Sequence, residues 1–166
     1  MPAEDRSRPG ALKAARILAL LAAASGITAG VAAIAGGKEA IRQFVTDTVG
    51  GSLSGELFQT FIEKELESAY SLVVTKSSIA IAVAALVAVL ALAVGSAKRS
   101  VRVLLAVLLI VNMVTSGLLG TETEVLPDLA LFGAFLAVVL SIATVPFLFT
   151  RAVGRYGSRR AWKAKA

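Results

Sequence analysis

Apolar residues gather into four stretches, roughly Ala14–Ala35, Ser77–Val94, Val103–Leu119 and Leu129–Phe149. Each is close to the ~20 residues that a helix needs to cross a hydrocarbon core ~30 Å thick. The pattern predicts an all-α polytopic membrane protein with four transmembrane helices. The first stretch ends in Ala33-Ile34-Ala35, which resembles a secretory cleavage site. Its apolar run of ~20 residues exceeds the roughly 7–15 of a signal sequence, so it is expected to be retained as a span.

Between the first two spans the pattern changes. In Lys38–Thr46 the apolar Ile41, Phe44 and Val45 share one helical face, and the Gly/Ser cluster at 50–55 then interrupts it. Beyond the break Leu57, Phe58, Phe61, Ile62, Leu66 and Tyr70 recur at three- and four-residue steps opposite a polar face. This predicts an amphipathic segment over 38–75, lying in the membrane interface, packed on the bundle, or running into span two as one helix of roughly 40 residues. Residues 1–13 read as a disordered lead, 14–149 as the four-helix bundle and 150–166 as a basic tail.

Charge sets the orientation. Of the 17 Lys and Arg, only Lys38, Arg42, Lys64 and Lys76 fall in the first connection, where six acids outnumber them, and the third connection holds acids alone. The remainder flank the other ends of the spans. The positive-inside rule places both termini in the cytoplasm and the 38–75 segment outside. The net charge of +6 therefore describes one face of the molecule rather than a nucleic-acid-binding surface. The tail cations Arg151, Arg155, Arg159, Arg160, Lys163 and Lys165 are expected to meet anionic lipid head groups.

Hydrophobic residues make up 57% of the chain, so the bundle is itself the core. Usage rich in Ala, Val, Leu and Arg points to a GC-rich prokaryotic genome, hence a plasma membrane. With no Cys and no His, thiolate chemistry and the commonest metal ligand and general base are missing. No metal or cofactor site is predicted. Glu122, Glu124 and Asp128 lack the glycine-containing 12-residue loop of a helix–loop–helix calcium site.

Three features inside the spans stand out. Ala22, Gly26 and Gly30 lie four apart, as do Ala29, Ala33 and Gly37, the small-residue spacing that lets helix backbones approach closely. Asn112, with Ser116 one turn along, places a strong polar group at depth, where it must face another helix. Pro146 in span four frees the carbonyl of Ile142, which Ser141 or Thr144 is expected to satisfy. Asp128 is expected to cap the start of that span. Span two, apolar all round, reads as a lipid-facing helix.

No carboxylate sits within a span, which removes the group that small proton-coupled exporters use to exchange protons for substrate. No cluster of acid, base and nucleophile suggests an enzyme. The expected function is a non-catalytic accessory or scaffold subunit packing against a larger integral membrane complex. Its partner-docking face would be Leu57, Phe58, Phe61, Ile62 and Tyr70. The alternative is a small homo-oligomeric channel or transporter working through neutral polar groups such as Asn112.

Overall fold

The computed structural model describes residues 10–49, 56–94, 98–121, 126–151 and 153, with the backbone alone described at 49 and 56–62. These form four α-helices, α1 (Gly10–Val49), α2 (Glu56–Ala93), α3 (Arg99–Gly120) and α4 (Asp128–Leu148). All four are long and apolar enough to cross a membrane. At 1.5 Å per residue α3 and α4 reach about 33 and 31 Å, close to the hydrocarbon thickness. The first two helices have 40 and 38 residues, nearly twice what a bilayer requires.

The extra length takes in the 38–75 segment, and of the three courses the sequence leaves open for it, the one that runs into span two as a single helix of roughly 40 residues is the one α2 takes. Residues 38–49 continue α1, and 56–75 belong to α2, which runs on unbroken into its span. The reason is phase. Along α1 the buried residues Ala29, Ala33, Gly37 and Ile41 are four apart, and along α2 the buried stripe passes through Leu66, Val73, Ser77, Ala80 and Ala84 at helical steps. One face therefore stays inward from hairpin to bilayer. The pair Gly36-Gly37 lies within α1 with neighbours close against it. A Cβ on Gly36 would meet the Pro127 ring at 2.6 Å, and one on Gly37 would lie 3.3 Å from Val73 and 3.8 Å from Tyr70.

Around the bundle the helices follow chain order. Each packs on two neighbours, with the fullest contact between α1 and α4, and α1 also touches α3 across the centre. Two apolar clusters divide the interior. One, at the end where α1 begins, gathers Leu12, Val94, Leu105, Leu109, Leu148 and Val153. The other, at the hairpin end, gathers Ile41, Leu66, Val73, Leu119, Leu126 and Ala130. Lipid tails are as apolar as these side chains, so close packing and hydrogen bonds, not the hydrophobic effect, hold the spans together.

α2 is a full member of this bundle and not simply a lipid-facing helix, because Ala80, Ala84, Val87, Ala91 and Val94 are buried while Leu86, Val89 and Leu92 face outward. α4 continues through Pro146 to Leu148. Its polar groups serve other partners than the freed Ile142 carbonyl, since the Thr144 hydroxyl donates to Leu140 O at 2.6 Å and Ser141 accepts from Asn112. Asp128 does not cap α4. Pro127 holds the cap position with no side-chain bond, and its carbonyl receives the amides of Ala130 and Leu131 at 2.8 and 3.2 Å. Asp128 is the first helical residue, where its charge still complements the helix dipole.

Candidate functional site

Between the two apolar clusters lies a polar level to which all four helices contribute. Asn112 of α3 is fully buried, and its Nδ2 donates to Ser141 Oγ of α4 at 3.2 Å. Opposite stands Gly26 of α1. A Cβ there would sit 3.2 Å from Ala84 Cβ of α2, 3.3 Å from Asn112 Oδ1 and 4.0 Å from Ala137 Cβ of α4. A side chain at position 26 would press on the amide. Asn112 Oδ1, Ser116 Oγ and Ser77 Oγ are buried without a hydrogen-bond partner. For Oδ1 the facing Cα–H of Gly26 offers at most a weak contact.

One turn further toward the hairpin, Gly30 abuts α2. A Cβ there would lie 2.5 Å from Ile81 Cγ1 and 3.1 Å from the Ser77 carbonyl O. Ala22 is buried in the cluster at the other end. Thus the Ala22, Gly26, Gly30 row faces inward along its whole length, while Asn112 and Ser116 face the same interior.

Another close crossing involves a residue the sequence reading does not single out. Gly133 of α4 packs on α1, where a Cβ would be 3.1 Å from Ala29 Cβ and from Ser25 O, and 3.2 Å from Ala29 Cα. Its signal is the same small-residue spacing, Gly133 with Ala137 and Ala130 with Ala134. Arg102 is the second such residue. It reads as a flanking charge, yet it lies inside α3 with 8% of its surface exposed, and its Nη1 donates to Leu148 O at 3.2 Å. A cation bonding the last carbonyls of a neighbouring helix satisfies acceptors that the helix cannot fill itself.

Of the expected docking face, Tyr70 is half-buried and turned toward α1, its hydroxyl donating to Ile34 O at 2.9 Å. The side chains of Leu57, Phe58, Phe61 and Ile62 lie outside the described residues. Of the tail cations Arg151 is exposed, and Arg155, Arg159, Arg160, Lys163 and Lys165 lie outside the described residues, as do Glu122 and Glu124. Among the described residues no three carboxylates gather into a possible metal site.

Chemically, amides and hydroxyls can hydrogen-bond but do not gain or lose charge near neutrality. The centre of a single copy is also shut, since methyl groups and the Asn112 amide meet at the level of Gly26. The fold and this interior define a multi-pass helical membrane protein. No family model matches the chain, and neither the curated proteins nor the solved structures contain a match to it.

Proposed function

We propose that this chain is a non-catalytic accessory or scaffold subunit of a larger integral membrane complex in a prokaryotic plasma membrane, with both termini cytoplasmic. The observation that carries the reading is the α1/α2 hairpin. The Gly36–Pro127 contact fixes where α4 begins, and α1 runs 13 residues further, from Gly37 to Val49. That is about 20 Å of helix paired with α2 beyond this contact, its first turns still packed through Ile41 and Leu66 into the cluster that holds Leu119 and Leu126. A subunit that only had to span the bilayer has no use for this projection, whereas one that must hold a partner outside does. A closed interior of neutral polar groups and small residues supports a structural role.

The second reading, a homo-oligomeric channel or transporter, draws on the unpartnered Asn112 Oδ1 and Ser116 Oγ. It requires a path between copies, because the axis of one copy is filled. Extraction in mild detergent followed by mass measurement tests the two. A stoichiometric complex with a larger membrane protein is expected, weakened when Phe58 and Phe61 are both changed to Ser while insertion is retained. Migration as the 17.1 kDa chain alone, or ion flux from liposomes that Asn112→Leu abolishes, would overturn the scaffold reading.

A further inference from the structure

Three buried side-chain oxygens without a hydrogen-bond partner, Asn112 Oδ1, Ser116 Oγ and Ser77 Oγ, lie in one half of the bundle. Each belongs to a side chain 1% exposed or less. Gly26 sets Asn112 and Ala84 at one level, since its Cβ position lies 3.3 Å from Asn112 Oδ1 and 3.2 Å from Ala84 Cβ. From that level Ser116 stands about 6 Å nearer the hairpin along α3, and Ser77 about 10 Å nearer it along α2. The oxygens therefore climb the interior in height steps of about 4–6 Å. A water making two hydrogen bonds of about 2.8 Å joins oxygens up to about 5.6 Å apart, so each step is on the scale that one water spans.

The rest of this half offers no donor. Ala29, Gly30 and Ala33 of α1, Ala80 of α2 and Ala130 and Ala134 of α4 are buried there and carry no polar side chain. The backbone amides at this depth lie mid-helix and bond within their own helices. A serine hydroxyl can turn onto a carbonyl of its own helix, but an amide oxygen only accepts, so Asn112 Oδ1 needs a donor from elsewhere. Ser116 is one turn from Asn112 on the buried face of α3 and leans toward it, as side chains on a helix lean toward its N-terminus. In hydrocarbon, a carbonyl left bare costs more than holding a water still.

We infer that the bundle binds a short file of ordered water between the level of Gly26 and that of Leu119. The first water donates to Asn112 Oδ1 and bonds Ser116 Oγ, and the second joins Ser116 Oγ to Ser77 Oγ. Three uncharged oxygens are too few to strip and hold a metal cation, so the ligand is water. The file ties α3 to α2, as the bond from Asn112 to Ser141 ties α3 to α4. Toward the other end the interior is shut at Gly26, so the water is held and does not pass through.

The full chain in detergent tests this by magnetic resonance and by stability. Asn112 is the only asparagine in the sequence, so isotope labelling of asparagine nitrogen isolates its side-chain amide. Magnetisation transfer from water to the Nδ2 protons is expected although the residue is fully buried. It should persist in S141A, which removes the hydroxyl bonded to that amide and with it any relay through hydroxyl exchange. In unfolding titrations S77A and S116A should each lower the folding equilibrium constant about fivefold, and together by much less than the product of about twenty-five, because they share a water. No transfer from water, or transfer that S141A abolishes, would overturn the file. Effects of S77A and S116A that simply multiply would overturn it as well, since hydroxyls bonded each to its own helix act independently. Should either serine variant fail to fold, the transfer measured on the unaltered chain and on S141A decides.

Discussion

Gly133→Ala probes the packing that holds the bundle together. The α4 backbone crosses α1 at this residue, and the added methyl would lie 3.1 Å from Ala29 Cβ and Ser25 O and 3.2 Å from Ala29 Cα. Carbon atoms sit best at about 3.5–4.0 Å, so the helices must part by about half an ångström. No rotamer change can relieve the contact, because two of the three atoms are α1 backbone and the third is a methyl fixed to it. The helix must move as a body, which loosens Ala29, Ala130 and Ala134 within the same cluster. Overpacking of this kind costs about 1–3 kcal/mol. The better helix propensity of Ala offsets about 0.8–1.0 kcal/mol, leaving a net loss of about 1 kcal/mol. Gly117→Ala is the control, since a Cβ there meets nothing within 4 Å and only the propensity gain applies. Unfolding of the detergent-solubilised protein, followed by circular dichroism during titration with a denaturing detergent, should separate the two variants by about 2 kcal/mol. Equal midpoints for the two would refute the close α1–α4 crossing.

Other expectations follow from single contacts. In a double-mutant cycle of Asn112→Ala and Ser141→Ala the coupling should be about 0.6 kcal/mol, the average for such pairs in membranes, and a value of zero would remove the bond from the account. Tyr70→Phe should lower stability by about 0.5–1.5 kcal/mol through loss of the bond to Ile34 O, read as a shift in the unfolding midpoint; an unshifted midpoint would mean that water serves the carbonyl equally well. For orientation, an impermeant maleimide should label Thr48→Cys in intact cells and Ser100→Cys only after permeabilisation, and the reverse would invert the topology.

The four spans are legible because an uninterrupted apolar run of this length has few other uses. Which face of each span looks inward is much less legible. In lipid both faces are apolar, so the contrast that marks the buried side of a soluble helix is absent, and α2 looks uniform although Ala84 is buried and Leu86 exposed. Residue size carries the information instead, as in Ala22, Gly26 and Gly30 and in the unremarked Gly133. The course of residues 38–75 is legible only as one of three alternatives. Glycine has poor helix propensity, yet α1 runs through Gly36-Gly37, where Pro127, Val73 and Tyr70 pack closely, a tertiary setting that local pattern does not contain. Arg102 is misread because its neighbours are flanking charges, and burial three residues further along the helix changes its role.

Specificity in this bundle comes from a few directed contacts set at different depths. Arg102 ties α3 to the end of α4, Asn112 ties their middles, and Tyr70 ties α1 to α2 above them. Non-directional packing of Ala and Val faces would tolerate sliding by a turn, since small residues recur every four positions. A one-turn slip of α3 would carry Asn112 away from both Ser141 and the space left by Gly26, stranding an amide in hydrocarbon at a cost of several kcal/mol. The polar level therefore fixes register. With register fixed, the projecting hairpin is fixed as well, because α1 and α2 pass from bilayer to tip as single helices without a joint. A force applied at the hairpin therefore acts directly on the spans.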